Sequence, residues 1–249
     1  MKSDILLVSA TRDEISDLLN ISTIISEEIS FSNTTTICAR IENIDYDLII
    51  TNPCIINAVH GLTCALERKR PEIIINAGIA GVFKESNLNI GDIVIATKER
   101  YQHRGVENSS AYATPDNLPF DIIENKTFFS KSGIYSFNKG NIEKIFQILS
   151  QSKLAKECTI SKGAVLTVST ITSTQNTASL LYKKYSSPME AMEGAGLAHI
   201  ASLYDIPFVE IRCGSNYTGE RDKEKWNISL ASKRVSSASA AIITRFYKT

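Results

Sequence analysis

The sequence has little of what a metal centre or a disulfide framework requires. Its 249 residues include only three histidines and five cysteines, and the cysteines are scattered without a CxxC pair. An odd number of dispersed cysteines is typical of reduced thiols that pack as small apolar side chains. We therefore expect neither a structural zinc site nor a disulfide framework, and no metal or organic cofactor is indicated.

The chain also lacks a net charge and a long hydrophobic run. Lysine plus arginine and aspartate plus glutamate number 27 each, so no overall field favours nucleic acid or an anionic membrane as a partner. Apolar stretches such as EIIINAGIAGVF are far shorter than a membrane span. The apolar run at 5–8 is interpreted as a buried strand because a signal peptide needs a longer one, and the expected location is the cytoplasm.

Short β-branched runs alternate with longer helical patterns along the chain. Six runs predict strands, at 5–8, 46–51, 72–76, 92–97, 163–170 and 207–212. Five segments predict helices, at 56–70, 141–150, 178–185, 192–204 and about 228–247. Several strands are apolar on both faces and no linker divides the chain. The prediction is therefore a single α/β domain over 1–249, with a mixed, mostly parallel sheet flanked by helices.

Polar residues and glycines follow several of the predicted strands, where ligands collect in open α/β sheets. Glu14 lies near the start of the first predicted helix and either caps that helix or faces a ligand. Gly78 and Gly81 in INAGIAGVF either form a tight turn or let the backbone approach a ligand closely. Both interpretations stay open for each of these residues.

Two further polar residues, Glu193 and Asn216, lie in the last third of the chain. AMEGAGLAHI is interpreted as helical, with no basic residue one turn from Glu193, so its carboxylate is either solvated or aimed at a ligand. The small neighbours Gly194, Ala195 and Gly196 favour close packing beside a polar site. Asn216 in IRCGSN is either a residue that favours a turn or an uncharged hydrogen-bonding group at a strand end.

Together and in this order, these segments resemble the nucleoside phosphorylase/nucleosidase superfamily over most of the chain. INAGIAGVF…IGDIVIATKERY resembles its glycine segment and the strand that follows, and AMEGAGLAHIASLYDIPFVEIRCGSN resembles its EMEGA…VPF…IR.ISN block. ERDKEKWNISLA is similar to a WNIPLA stretch of the futalosine hydrolases, which are relatives of the methylthioadenosine/S-adenosylhomocysteine nucleosidases. The resemblance implies an α/β/α fold, a purine nucleoside substrate, hydrolysis of its N-glycosidic bond, and a homodimer or higher homo-oligomer.

The resemblance also implies two catalytic roles. Glu14 matches the carboxylate that activates the attacking water. Asn216 occupies the position where methylthioadenosine enzymes carry an aspartate that protonates purine N7. An amide cannot supply that proton, but it can hydrogen-bond a 6-oxopurine. The implied substrate is therefore futalosine, which is cleaved to hypoxanthine and dehypoxanthine futalosine in menaquinone biosynthesis.

A substrate-binding set follows from the same resemblance. Met192 and Glu193 match the pair at the ribose, where the glutamate binds the hydroxyl groups. The other positions implied to lie near the sugar or the base are Ala77, Gly78, Ile79, Ile171 and Thr172.

Two departures from the family pattern lie near this set. The turn TNPC at 51–54 stands where the relatives have TGVG; Pro53 fixes φ and Asn52 can adopt left-handed geometry, so we expect a turn to survive. Ile171 and Thr172 stand about where a purine-stacking aromatic is expected.

Three functions stay open from the sequence: a futalosine hydrolase, a methylthioadenosine/S-adenosylhomocysteine nucleosidase, and a purine-nucleoside-binding protein without turnover. The segment INAGIAG and its flanks contain no arginine to hold phosphate as a nucleophile, which favours hydrolysis over phosphorolysis. The irregular, polar region 98–140 is the candidate contact with a neighbouring subunit.

Overall fold

The computed structural model describes residues 4–106, 118–123, 129–131 and 133–248. Its strands are β1 (Ile5–Ser9), β2 (Thr23–Ile29), β3 (Thr35–Ile41), β4 (Ile44–Ile50), β5 (Ile73–Val82), β6 (Ile93–Tyr101), β7 (Phe129–Lys131), β8 (Ile134–Ser136), β9 (Ile160–Thr167), β10 (Met189–Ala191) and β11 (Phe208–Tyr217). Its helices are α1 (Ser16–Asn20), α2 (Ile55–Arg68), α3 (Lys139–Ser150), α4 (Gln175–Tyr185), α5 (Gly194–Leu203) and α6 (Ile228–Arg245).

Two groups of parallel strands make up the sheet. Strands β4, β1, β5 and β11 run parallel to one another, and so do β6, β9 and β10. The groups meet where β10 pairs antiparallel with β5 and β11 pairs antiparallel with β6. Strands β5, β11, β6, β9 and β10 thereby form a closed ring, and antiparallel strands extend the sheet beyond β4 and β6.

Helices cover this sheet and bury its apolar side chains. Helix α6 packs against β5 and β11 and contacts α1 and α3, whereas α5 packs against α2 and against strands of the ring. All five residues of β1 are buried, which is typical of a strand covered on both faces. Within the described ranges, no helix has the length and apolar content that a membrane crossing requires.

Side-chain caps explain where three of the helices begin. Asn138, Thr174 and Asn227 precede α3, α4 and α6, and each side chain accepts a hydrogen bond from the backbone N–H three residues later. Helix α5 is different, because Glu193 stands at its N-cap without making a capping bond. The carboxylate of Glu193 is therefore available for other partners.

The predicted single α/β architecture with a mixed sheet is confirmed, with four local corrections. INAGIAGV is part of β5 and not a turn after it, and Asn216 lies within β11 and not beyond it. The helix predicted at 192–204 begins only at Gly194, because 189–191 form the short strand β10. The sequence did not predict β2, β3, β7, β8 or β10. Every residue of β2 is exposed, so burial does not impose alternating apolar residues on its sequence.

Candidate active site

The neighbouring strands β5 and β11 place the candidate residues in one row. Their register sets Glu210 beside Asn76, Arg212 beside Gly78 and Asn216 beside Gly81. Because side chains alternate along a strand, Glu210 and Arg212 point to the same side of β11. The Asn76 amide donates to Glu210 Oε1 at 3.0 Å. Charged side chains from the chain's last third are thus aligned with the glycine segment.

Glu14 reaches this row from a 3₁₀ turn, Asp13–Ile15, that follows β1. Its side chain is buried and accepts a hydrogen bond from Ser9 Oγ at 3.4 Å. A Cβ atom at position 78 would lie 2.7 Å from Glu14 Oε2 and 2.6 Å from Arg212 Nη1. Only glycine at this position lets the carboxylate and the guanidinium approach the same stretch of backbone.

The environment of Glu14 makes it a weaker acid than usual. Burial raises its pKa to about 7, and the nearby Glu193 carboxylate adds to that shift, whereas Arg212 opposes it. A carboxyl group whose pKa is close to neutral can take up and release a proton under ordinary conditions, as a general base requires.

Glu193 is buried and has partners inside the chain, so its carboxylate is not solvated, and the basic partner that the neighbouring sequence lacks is Arg212. Glu193 Oε1 accepts from the backbone N–H of Cys54 at 3.1 Å, and its Oε2 lies 3.4 Å from Arg212 Nη1. Met192 lies beside it and donates its own N–H to Glu193 Oε2 at 3.3 Å. Of the small residues next to Glu193, Gly194 packs closely beside polar groups, as expected, because a Cβ atom there would contact carboxyl oxygens of Glu99 and Glu210. Gly196 packs instead against apolar side chains of α2.

The TNPC turn brings a backbone donor into the site, because the N–H of Cys54 donates to Glu193 Oε1. Asn52 adopts φ 67°, as predicted from its tolerance of left-handed geometry, and Cys54 adopts φ 95°. These are the two positions at which TGVG has glycine. A turn therefore forms without either glycine, at the cost of backbone strain at Cys54.

Arg212 is the functional candidate that the sequence analysis missed. It is 2% exposed, and its Nε donates to Glu210 Oε1 at 2.7 Å while Nη1 approaches Glu193 and the carbonyl oxygen of Ile79. Burial alone would lower the pKa of Arg212. The carboxylates of Glu210 and Glu193 raise this pKa by more than burial lowers it, so the guanidinium stays charged. A buried arginine in the predicted strand PFVEIR was the available signal, since such a charge needs partners.

INAGIAG and its flanks contain no arginine in sequence, but the fold brings Arg212 to this segment. Its Nη1 donates to the Ile79 carbonyl oxygen at 3.4 Å. Two carboxylates, Glu193 and Glu210, already neutralise this guanidinium, and Glu14 lies alongside. We call Glu14, Glu193, Arg212 and Glu210 the charged end of the site; its excess of carboxylates disfavours a phosphate ion.

Asn216 lies at the other end of the row. Its Oδ1 accepts from Ser215 Oγ at 2.9 Å, and its Nδ2 donates to the carbonyl oxygen of Tyr217 at 3.1 Å. An amide nitrogen has two hydrogens, so this arrangement holds the side chain and leaves one N–H for a ligand. We call Asn216, Ser215, Thr172 and Glu190 the amide end of the site.

Ile171 and Thr172, which stand where a purine-stacking aromatic was expected, differ in their exposure to solvent. Ile171 is 45% exposed. Thr172 is buried, and its Oγ1 donates to Glu190 Oε2 at 2.6 Å. Glu190 in turn borders Gly81 together with the amide nitrogen of Asn216. Burial raises the pKa of Glu190, and its hydrogen bonds with Thr172 oppose that shift.

The remaining predicted residues lie along β5. Ala77 is fully buried, and the half-buried Ile79 contributes backbone groups to both Arg212 and Glu14. The candidate subunit contact at 98–140 is described only in part, because 107–117, 124–128 and 132 lie outside the described residues.

A family model described as Phosphorylase superfamily matches residues 55–248. This range includes Gly78, Glu193, Arg212 and Asn216, whereas Glu14 precedes it. The role of Glu14 is therefore argued from geometry.

Curated relatives include two futalosine hydrolases and several methylthioadenosine/S-adenosylhomocysteine nucleosidases. The futalosine hydrolase of Streptomyces coelicolor is 29% identical over 169 residues, covering 67% of this chain and 63% of that protein. The futalosine hydrolase of Acidothermus cellulolyticus is 29% identical over 71% of this chain and 66% of its own length. A 5'-methylthioadenosine/S-adenosylhomocysteine nucleosidase of Maridesulfovibrio salexigens is 28% identical, covering 73% and 72%. The match spans less than two thirds of each futalosine hydrolase.

Solved structures share the fold over nearly the whole chain. The 5'-methylthioadenosine/S-adenosylhomocysteine nucleosidase of Neisseria meningitidis, in complex with methylthio-immucillin-A, has a TM-score of 0.79 at 17% identity, covering 97% of this chain and 98% of that one. The futalosine hydrolase of Helicobacter pylori has a TM-score of 0.77 at 14% identity, covering 98% and 97%. At these identities the likeness establishes the fold.

Proposed function

Since the chain belongs to the Phosphorylase superfamily, we propose that it is a nucleosidase that hydrolyses the N-glycosidic bond of futalosine. The products are hypoxanthine and dehypoxanthine futalosine, and the reaction serves menaquinone biosynthesis. A homo-oligomer and a cytoplasmic location remain predictions from the sequence.

One observation carries this proposal: Glu14, Glu193 and Arg212 converge on the glycine segment of β5. A Cβ atom at Gly78 would contact both Glu14 and Arg212, and Glu193 lies 3.4 Å from Arg212. In the proposed reaction, the Glu14 carboxylate takes a proton from a water that attacks C1′ of the ribose. Glu193 binds the ribose hydroxyl groups as the bond to the base breaks through an oxocarbenium-like state. The base leaves with the electron pair of that bond and takes up a proton from solvent, and Glu14 then releases its proton to solvent.

The sign of the pH dependence follows from the role of Glu14. A general base acts in its ionised form, and the pKa of Glu14 is about 7. The rate of hydrolysis is therefore expected to fall as the pH is lowered through about 7.

The amide end supports a 6-oxopurine as the leaving base. Asn216 cannot protonate purine N7 as an aspartate does, but its remaining N–H can donate to an acceptor on the base. Hypoxanthine carries an acceptor oxygen at position 6, where adenine carries a donor amine. The futalosine hydrolases among the relatives favour the same substrate.

Hydrolysis is favoured over phosphorolysis by the charges around Arg212. Glu193 and Glu210 pair with this guanidinium, and Glu14 would repel a phosphate nucleophile. Water carries no charge and is compatible with this carboxylate-rich environment.

A second candidate is a methylthioadenosine/S-adenosylhomocysteine nucleosidase, because a relative of that name matches 73% of the chain. The discriminating experiment measures base release from futalosine, inosine and methylthioadenosine in parallel. Hypoxanthine released from futalosine with the highest kcat/KM supports the proposal. Adenine released faster from methylthioadenosine assigns the second function, and binding without any released base indicates a nucleoside-binding protein.

A further inference from the structure

Behind the charged end, a second buried carboxyl group lies next to Glu210. Glu99 on β6 is 0% exposed, as is Glu210 on β11. A side chain on Gly194, the first residue of α5, would overlap oxygens of both carboxyl groups. The absence of a Cβ at Gly194 therefore lets two carboxyl groups meet below the start of this helix.

Each of these carboxyl groups has one oxygen with two donors and one oxygen without any. Glu99 Oε2 accepts from Thr167 Oγ1 and from the Arg100 N–H, both at 2.9 Å. Glu210 Oε1 accepts from Arg212 Nε and from the Asn76 amide. Among the described residues, no donor reaches Glu99 Oε1 or Glu210 Oε2. These two oxygens border the same glycine, Gly194.

A single proton between the two carboxyl groups would give the two oxygens that lack a donor in the described part of the chain a hydrogen bond to each other. Two ionised carboxylates side by side in a dry interior repel strongly, whereas a protonated acid donates a hydrogen bond to its neighbour. Burial and the Glu210 carboxylate raise the pKa of Glu99 well above its ordinary value, with Arg212 and Thr167 opposing that shift. Glu99 is thus the member that keeps the proton.

Arg212 is the group that responds to the charge of this pair. It is the common cation of Glu210, Glu193 and Glu14. We propose that Glu99 and Glu210 form a carboxyl pair that shares one retained proton and positions Arg212, so that its Nε is held by Glu210 and its Nη1 faces Glu193 and Glu14. This inference rests on the proposed hydrolysis for its kinetic consequences but not for the proton itself.

Other charged or titratable groups also face Glu99. Burial raises the pKa of Tyr135 on β8 and Arg104 opposes that shift, and Tyr135 lies close enough for an ionised Glu99 to raise this pKa further. The Tyr135 hydroxyl is hydrogen-bonded to Arg104 and His199. Burial lowers the pKa of His199, and Arg104 adds to that shift. Loss of the Glu99 proton at high pH would place a second anion beside Glu210 and draw Arg212 away from Glu193.

The kinetic test compares amide substitutions at the two members of the pair. Glu99→Gln supplies an N–H in place of the acid proton, so its kcat near pH 7 is expected to stay within about threefold of the unmodified protein. Glu99→Leu supplies no hydrogen-bond donor, so its kcat is expected to fall about tenfold or more. Glu210→Gln removes the charge that holds Arg212 Nε and is expected to lose about tenfold or more. The control is Glu143→Gln, which replaces an exposed carboxylate on α3 and is expected to keep full activity.

The pH profile separates positioning from a purely structural role. The unmodified protein is expected to lose kcat at alkaline pH as Glu99 ionises, and Glu99→Gln is expected to lack that decline. An alkaline decline that is identical in both proteins overturns the proposal, and so does a Glu99→Gln variant as inactive as Glu99→Leu.

Infrared spectroscopy tests the proton without any substrate. At about pH 9, well above the Glu14 pKa of about 7, the folded protein is expected to show a carboxylic-acid stretch that Glu99→Gln lacks and Glu14→Gln keeps. Absence of that Glu99-dependent band overturns the shared proton even if nucleosides are hydrolysed. Its presence in a protein that hydrolyses no nucleoside supports the pair and contradicts only the proposed function.

Discussion

The charged end and the amide end of the site both include residues of β11, yet they hold their polar groups differently. At the charged end, ionised side chains are paired with one another: Arg212 lies 2.7 Å from Glu210 and 3.4 Å from Glu193. At the amide end, Asn216 is held by a hydroxyl and a carbonyl group and carries no charge. The difference suits a reaction in which charge develops at the sugar while the base is chosen by hydrogen bonding.

Substitution of Glu14 tests how much the charged end destabilises the fold. The pKa of Glu14 rises from 4.5 to about 7 on folding. The folded state favours the neutral form of Glu14. The contribution of Glu14 to the free energy of unfolding is therefore fully present below pH 4.5 and is lost as the pH rises through about 7. Glu14→Gln is therefore expected to raise the free energy of unfolding at pH 8 by up to about 3 kcal/mol, and to change it little at pH 4.

Denaturant unfolding at both pH values measures this effect. Asp13→Asn, at an exposed position in the same 3₁₀ turn, is the control and should leave the pH dependence unchanged. A Glu14→Gln variant that is less stable than the unmodified protein at pH 8 would show that the carboxylate contributes favourably to the fold.

Substitution of Glu193 is expected to affect every nucleoside alike. The ribose is common to all candidate substrates, and hydrogen bonds to a charged group contribute about 1.5–3 kcal/mol each. Glu193→Gln should lower kcat/KM about 100-fold for futalosine and for methylthioadenosine, with Glu143→Gln as an unaffected control. A loss confined to one nucleoside would place Glu193 at the base and remove the distinction between the two ends.

Substitution of Asn216 is expected to change the choice of base more than the overall rate. Asn216→Asp introduces an acid that can protonate purine N7, so the ratio of kcat/KM for methylthioadenosine to that for futalosine should rise about tenfold. Asn216→Ala is the control, because it removes the amide without adding an acid. Equal losses on both substrates with Asn216→Asp would contradict a role for the amide end in selecting the base.

The smallest expected effect concerns the strained turn that supports Glu193. Cys54 has φ 95° and ψ 142°, a conformation almost restricted to glycine. Cys54→Gly should raise the free energy of unfolding by about 1 kcal/mol and keep activity, since the N–H that binds Glu193 is retained. Cys54→Ala preserves the strain and should give no gain in thermal unfolding measurements. Equal stabilities of the Gly and Ala variants would show that the turn carries no strain.

The sequence predicted the local elements better than the contacts between distant ones. Alternating apolar runs located β1, β5 and β11, and the order of motifs brought Glu14, Glu193 and Asn216 together as candidates. The partnership of Arg212 with Glu193 depends on the pairing of β5 with β11 and on the start of α5, and no local pattern records that register. The exposed strand β2 has no buried face, so its sequence does not alternate between apolar and polar residues.

The glycines show a similar limit of sequence reasoning. Gly78 and Gly194 are needed because of the side chains that approach them, Glu14 and Arg212 in one case and Glu99 and Glu210 in the other. Those neighbours come from other strands and turns. A glycine in a sequence indicates that space or backbone freedom is needed, but only the fold identifies what occupies the space.

The central claim is that a buried Glu14 carboxylate activates water against the glycosidic bond of futalosine. The most direct test is the kcat for hypoxanthine release by Glu14→Gln at pH 8, where most of the unmodified Glu14 is ionised. We predict a loss of about 10²–10⁴-fold with measurable futalosine binding retained. A Glu14→Gln variant with near-normal kcat would contradict the mechanism.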